Sequence, residues 1–311
     1  MTAILSSAVC PSPAHMPRFG AAPHPGWAED GRDWPNRAQS RFVSAAGLIW
    51  HVQRAGSGPV VLLLHGTGAA THSWRDLLPL LARRFNVVAP DLPGHGFTAM
   101  PRASLMGLPG MARGLSALLE RLGVRPDLVV GHSAGAVIAA RLCLDGAIDP
   151  DRLLSLNGAL LPPPGLQATV FPAAARFLAG LPLLPLLVAR TASDARVEAL
   201  LRDTGSVLDS EGLRFYRRLF RRPDHVAGAV TMMARWDLRG LPGELRRLGD
   251  RLVLAAGDRD GMIPAEAARI VHDRVPGSRL VALPGLGHLA HEEAPERIAA
   301  LIADLLPAAP P

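Results

Sequence analysis

Leu128-Val129-Val130-Gly131-His132-Ser133-Ala134-Gly135-Ala136-Val137-Ile138-Ala139-Ala140-Arg141-Leu142 reads as strand, sharp turn and helix, with a serine at the apex. A serine at such a turn is pushed into a sparsely populated backbone conformation, so the residues two positions away must be small. Here both are glycine. The turn throws the hydroxyl off the carboxyl end of the strand. It also leaves the Ala134 amide at a helix N-terminus, where it can donate to a developing oxyanion. A GxSxG pattern also arises by chance as an inert strand-to-helix turn, so the rest of the chain has to supply the partners such a serine needs.

Outward from this turn, the pattern alternates. Toward the N-terminus, Val60-Val61-Leu62-Leu63-Leu64 is an unbroken apolar run, as expected of a parallel strand covered on both faces. It runs into His65-Gly66-Thr67-Gly68, a turn that lets main-chain amides approach a ligand. Arg41–Val43 and Leu48–Gln53 form a hairpin, His72–Arg84 has helical spacing, and Asn86–Pro90 is a strand ending in Asp91-Leu92-Pro93-Gly94-His95-Gly96. A helix is expected over residues 107–122. Beyond the serine, Arg152–Leu156 is a strand ending at Asn157, and from about 162 to 241 no strand pattern appears. Strand, helix, strand and helix then resume at 251–256, 265–275, 279–283 and 295–306. The order specifies a doubly wound, mostly parallel α/β sheet with a helical lid inserted after the sixth strand. The expected division is core at 39–161 and 242–311, lid at 162–241, and a Pro/Ala-rich disordered tail at 1–38 with Met16 as an alternative start.

A serine nucleophile needs a base, and the base needs an acid to orient it. Serine, acid, histidine is the chain order for this arrangement. The acid is sought after the strand that follows the lid, in Gly257-Asp258-Arg259-Asp260-Gly261. Asp260, three residues past the glycine and four before Pro264, is placed to reach back, whereas Asp258 caps the turn. The base is His288 in Gly285-Leu286-Gly287-His288. Thr67 and Ala134 supply the oxyanion amides. Asn157 cannot stabilise an imidazolium as a carboxylate would. His65, His95 and His132 read as structural, and His291-Glu292 as a solvated helix start, since the spacing is not that of a metalloprotease. No metal or cofactor site is read.

The chain has 311 residues, 49% hydrophobic, with 31 glycines, 29 prolines and a formal charge of +6. There is no lysine, so all 33 basic residues are arginines, and they are scattered or paired on helical patterns rather than gathered into a nucleic-acid patch. The two cysteines, Cys10 and Cys143, give no disulfide framework, in keeping with a reduced, cytoplasmic setting. No secretory signal or 20-residue apolar span is read. The apolar stretch Phe177–Val188 is broken by Pro182 and Pro185. With Met232, Met233 and Trp236, its Phe177 and Leu181 are candidates to line a pocket for a large apolar ligand or to touch a membrane surface.

Several stretches resemble one family: Asp33-Trp34-Pro35-Asn36-Arg37, Leu156-Asn157-Gly158-Ala159-Leu160-Leu161-Pro162, Thr204-Gly205-Ser206, His225–Leu238 and Gly285–Glu293. They look like the magnesium-chelatase accessory α/β-hydrolases of bacteriochlorophyll biosynthesis (BchO type). The resemblance runs from about residue 33 to the C-terminus. It implies an α/β-hydrolase fold and a role beside magnesium insertion into protoporphyrin IX, with a porphyrin and the chelatase subunits as partners. It does not supply a reaction. Two functions follow: a serine hydrolase of an apolar ester or thioester, or a non-catalytic porphyrin-binding accessory protein, cytoplasmic and peripheral at the inner membrane.

Overall fold

The apolar runs become the middle of a single sheet. In the computed structural model, which describes residues 24, 26–162, 177, 180–181 and 183–306, the strand order is β1-β2-β4-β3-β5-β6-β7-β8. The strands are β1 Ser40–Ala45, β2 Leu48–Ala55, β3 Val60–Leu64, β4 Asn86–Pro90, β5 Leu128–His132, β6 Arg152–Leu156, β7 Leu252–Gly257 and β8 Arg279–Leu283. β1 and β2 form the expected hairpin. Ala46 and Gly47 both take positive φ (51° and 73°), which matches the twist of the two strands. β2 pairs antiparallel with β4, and every pairing from β4 through β8 is parallel.

Alternation divides the core into two layers. Leu62, Leu64 and Val129 face α3 (Leu108–Leu122) and α4 (Ala134–Leu144) through Met111, Leu115, Val137 and Ile138. Val61, Leu63 and Val130 face α2 (Leu77–Leu81) and α12 (Pro295–Leu305) through Leu77, Leu81, Ile298 and Ile302. The chain leaves β3 toward β4 on one side and returns to β5 on the other. The strand order therefore reverses beside the elbow, where such sheets open a crevice at their carboxyl ends.

Between β6 and β7 the described residues are helical: α5 Leu184–Thr191, α6 Asp194–Arg202, α7 Ser210–Phe220, α8 Pro223–Arg235 and α9 Leu241–Glu244. Ser193 and Asp209 cap α6 and α7 by accepting from the amides of Arg196 and Gly212. The rest of the expected lid (163–176, 178–179, 182) and the tail at 1–23 and 25, including Cys10 and Met16, lie outside the described residues. After β7 come α10 (Ala265–Arg274) and α11 (Ala290–Glu293).

Two expectations are corrected. The tail does not run unstructured to residue 38: it forms α1 (Trp27–Asp30), and Trp34 is 2% exposed. Trp27, Trp34, Phe42, Phe97 and Phe215 form one aromatic cluster, and Trp34 Nε1 donates to Thr71 Oγ1 at 3.0 Å. Nor is 72–84 one helix. It is a 3₁₀ turn at Thr71–Trp74 followed by α2. Pro79 has no N–H for the Arg75 carbonyl and its ring would crowd that group; Asn36 Nδ2 donates to it instead, at 3.0 Å.

Candidate active site

At Ser133 φ is 51° and ψ −115°, the strained backbone that an elbow requires. Its tightness explains the glycines. A Cβ at Gly131 would come within 2.4 Å of the Ala136 backbone, and one at Gly135 within 2.1 Å of the Leu64 carbonyl. The Ser133 N–H donates to Leu156 O (3.1 Å), and its carbonyl accepts from Ala136 and Ala159 (3.2 and 3.1 Å), so the turn is tied to the end of β6 and the residues just after it. Ala134 is the first residue of α4, with its amide at the helix N-terminus.

The turn after β3 lies against this elbow. A Cβ at Gly66 would be 3.0 Å from Ser133 Cβ, so the Gly66-Thr67-Gly68 main chain reaches the serine only because Gly66 has none. His65 braces the turn: Nδ1–H donates to Gly66 O (2.8 Å) and Nε2 accepts from the Leu92 N–H (2.9 Å). Thr67 Oγ1 points at Met232 Sδ, 3.6 Å away.

His288 and Asp260 meet. His288 Nδ1 is 2.8 Å from Asp260 Oδ2, and the side chains are 9% and 0% exposed. Asp260 Oδ1 accepts from the Met262 and Ile263 amides, both at 2.8 Å, and Oδ2 also accepts from Asn157 Nδ2 at 2.7 Å. Asn157, just past the end of β6, thus holds Asp260, which stands beyond β7. Asp258 turns to the Gly285 N–H (2.7 Å) and makes no bond to the histidine. His132 Nε2 donates to the His288 carbonyl at 2.9 Å, a structural bond, and burial holds its pKa well below the usual histidine range.

Sequence reasoning did not find what holds these two loops together. The Thr204 carbonyl, from the inserted helices, accepts from both Gly261 N (3.0 Å) and His288 N (3.1 Å), and Ser206 Oγ accepts from Leu289 N (2.8 Å). Gly205 has φ 78°, and a Cβ there would lie 1.7 Å from the Arg259 carbonyl. The TGS stretch had signalled kinship, but its role is a main-chain staple, which no side-chain pattern announces.

Two further expectations change. His291-Glu292 is not a solvated helix start. His291 is 1% exposed, and the wholly covered Glu292 carboxylate accepts from Ser73 Oγ (2.6 Å), Arg75 Nη1 (2.5 Å) and Tyr216 Oη (2.7 Å). Burial raises its pKa against the pull of Arg75. Among the pocket candidates, Met232 is buried beside Thr67, and Met233 and Trp236 are half-buried. Phe177 and Leu181 are 70% and 41% exposed and stand outward. The next helix, α5, packs its Ala189 side inward next to α8, which turns Leu183 and Leu187 outward as well.

The comparisons agree with this architecture. The alpha/beta hydrolase family profile matches residues 61–301. The "Magnesium-chelatase 30 kDa subunit" of Rhodobacter capsulatus is 40% identical over 277 residues, spanning 88% of this chain and 96% of that protein. Among solved structures, an alpha/beta hydrolase fold protein from Burkholderia ambifaria superposes with a TM-score of 0.70 at 26% identity, covering 86% of this chain and 97% of that one. A putative lipase from Acinetobacter baumannii reaches 0.71 at 18% identity, covering 86% and 90%, which bears on the fold alone. A chain with this sheet, this elbow and these relatives belongs to the alpha/beta hydrolase family, and within it to the group of the magnesium-chelatase 30 kDa subunit.

Proposed function

We propose that the protein is a serine hydrolase that cleaves an ester or thioester with an apolar acyl or alcohol part. Ser133 Oγ attacks the carbonyl carbon while His288 Nε2 takes its proton. Asp260 holds the ring in the tautomer that leaves Nε2 free and stabilises the imidazolium. The amides of Ala134 and Thr67 receive the oxyanion. His288 returns the proton to the leaving group, and water, activated by the same nitrogen, releases the acyl group from the serine. The observation that carries this reading is the 2.8 Å bond between His288 and a fully covered Asp260, supplied in the required order after a strained Ser133. Purified protein treated with a fluorophosphonate probe should label at Ser133, and Ser133→Ala should not. A wild-type protein that stays unlabelled would sink the reading.

The likeness to a magnesium-chelatase subunit supports a setting beside magnesium insertion into protoporphyrin IX, with chelatase subunits as partners. A second reading, a non-catalytic accessory protein that holds porphyrin or docks at the inner-membrane surface, is favoured by one observation. Phe177, Leu181, Leu183, Leu186 and Leu187 are all exposed, in a stretch with no carboxylate between Asp151 and Asp194. Among the described residues no helix is long and apolar enough to cross a membrane. The readings separate in a deletion strain: Ser133→Ala restores pigment under the second and fails under the first.

A further inference from the structure

Helix α8 carries His225–Arg235, part of one of the stretches on which the family resemblance rests. Its inward face is spaced three and four residues apart, at His225, Gly228 and Met232. All three positions meet the loops that rim the elbow. His225, 2% exposed, bridges two of them: its Nδ1 accepts from the Gly96 N–H (3.1 Å), so its proton is on Nε2, which donates to the Gly68 carbonyl (3.1 Å). A Cβ at Gly228 would stand 1.8 Å from the Gly94 carbonyl, so helix and loop are in backbone contact there. Met232 Sδ takes the Thr67 hydroxyl. Thr67 is therefore reached from this one helix by two routes: its own side chain, and the Gly68–Ala69 peptide, whose N–H donates to the Gly66 carbonyl at 3.2 Å. The Gly66 carbonyl shares its peptide plane with the Thr67 N–H and accepts from His65 Nδ1 as well, so His225 adds a second hold on that plane by way of Gly68.

From this we infer that α8 sets the oxyanion-binding amide of Thr67, with His225 as a positioning residue that locks the turn after β3 to the loop after β4. The inference rests on the serine-hydrolase reading for its catalytic consequence, but not for its geometry. His225 touches no reacting atom. It fixes the Gly68–Ala69 peptide, whose N–H donates to the Gly66 carbonyl (3.2 Å), and the Gly66–Thr67 peptide carries the donor N–H, so the direction of that N–H is set before substrate arrives. Without the ring nitrogens the Gly68 carbonyl and the Gly96 amide lose their partners together, the Ala69 N–H bond to Gly66 O loosens, and the Thr67 N–H turns from where the oxyanion forms.

The test compares His225→Phe, which keeps an aromatic ring without nitrogens, with His225→Gln, whose amide N–H stands where Nε2–H does. Hydrolysis of p-nitrophenyl butyrate gives kcat and KM, and hydrogen–deuterium exchange follows the backbone of residues 64–70. The Phe variant should lose about 100-fold in kcat with KM changed less than about threefold, while the Gln variant stays within about fivefold of wild type. Exchange over 64–70 should quicken about tenfold in the Phe variant and not in the Gln variant. Wild-type exchange and wild-type kcat in His225→Phe would overturn the inference. So would equal loss of kcat in both variants with exchange over 64–70 unchanged. A wild-type protein that neither labels nor turns over ester sinks the serine-hydrolase reading alone, and the exchange comparison still decides whether His225 holds the turn.

Discussion

Replacing Asp260 with asparagine changes one atom, and the surroundings dictate where that atom goes. Oδ1 must remain an oxygen, because the Met262 and Ile263 amides both donate to it at 2.8 Å. The new NH₂ therefore takes the place of Oδ2, facing His288 Nδ1 and Asn157 Nδ2. Asn157 can answer by turning over, giving up only its long 3.3 Å bond to Gly287 O, since its own buried Oδ1 has no partner among the described residues, so the fold should survive. His288 cannot answer without cost. With a donor at Nδ1 it must carry its proton on Nε2, the nitrogen that should accept from Ser133. The same change in serine proteases lowers kcat by about 10⁴ through the wrong tautomer, equivalent to about 5.5 kcal/mol of barrier. We expect a loss of that order in p-nitrophenyl ester turnover and in the rate of fluorophosphonate labelling, with the thermal midpoint nearly unchanged. Asn157→Asp on the Asp260→Asn background brings a carboxylate back to the same spot from β6 and should recover at least about tenfold. Asp258→Asn, which disturbs only the Gly285 N–H, should be close to wild type. Retention of more than about a tenth of the activity in Asp260→Asn, or a crippled Asp258→Asn, would refute the assignment of the acid.

Three other outcomes follow from the packing and the buried charges. Glu292→Leu strands the Arg75 guanidinium, only 6% exposed, with its partly exposed neighbours Asp76 and Asp209, and should cost about 3–5 kcal/mol in urea denaturation. Trp34→Ala removes a ring packed on His72, Phe97 and Phe215 together with the bond to Thr71. A loss of about 3–5 kcal/mol is expected by the same measurement, against almost none if residues 26–38 were loose. Burial, outweighing the Gly68 bond, lowers the His225 pKa from 6.5 to about 4. Between those values the unfolded chain binds the proton and the folded one does not. The contribution, about 3 kcal/mol, is thus complete above pH 6.5 and drains away as pH falls toward 4, adding to the same trend from buried His72, His95, His132 and His291. Thermal midpoints measured from pH 7 to 4 should fall steeply, and a flat profile would contradict the neutral burial of these rings.

What the sequence made legible were features carried by local pattern. Val60–Leu64 and Leu128–Val130 announce covered parallel strands because both faces of each must be apolar. Ser133 announces an elbow because only glycine fits at 131 and 135. Asp260 and His288 could be placed by chain order, since the sheet's winding fixes which loops meet. The features it left dark depend on distant partners. Trp34 looks like part of a proline-rich tail until Phe215 is beside it. Glu292 looks like a solvent-facing helix residue until Arg75 and Tyr216 close over it. Apolar spacing over 72–84 suggests one helix, and the break beside Pro79 shows only in the structure. The staple at Thr204 is made by a carbonyl, and every residue has one.

The aromatic cluster at Trp27, Trp34, Phe42, Phe97 and Phe215 also bears on how the chain comes to be folded during synthesis. Its last member is made roughly 180 residues after Trp34, a wait on the order of 10–40 s at ordinary rates of translation. Through that interval the tryptophans have first Phe42 and later Phe97 for company but no Phe215, so the layer they close stays open to solvent and to other nascent chains. Residues made early are therefore among the last to be sealed, and a helper that shields apolar surface would act on the Trp27–Phe42 part of this chain until the inserted helices arrive to cover it.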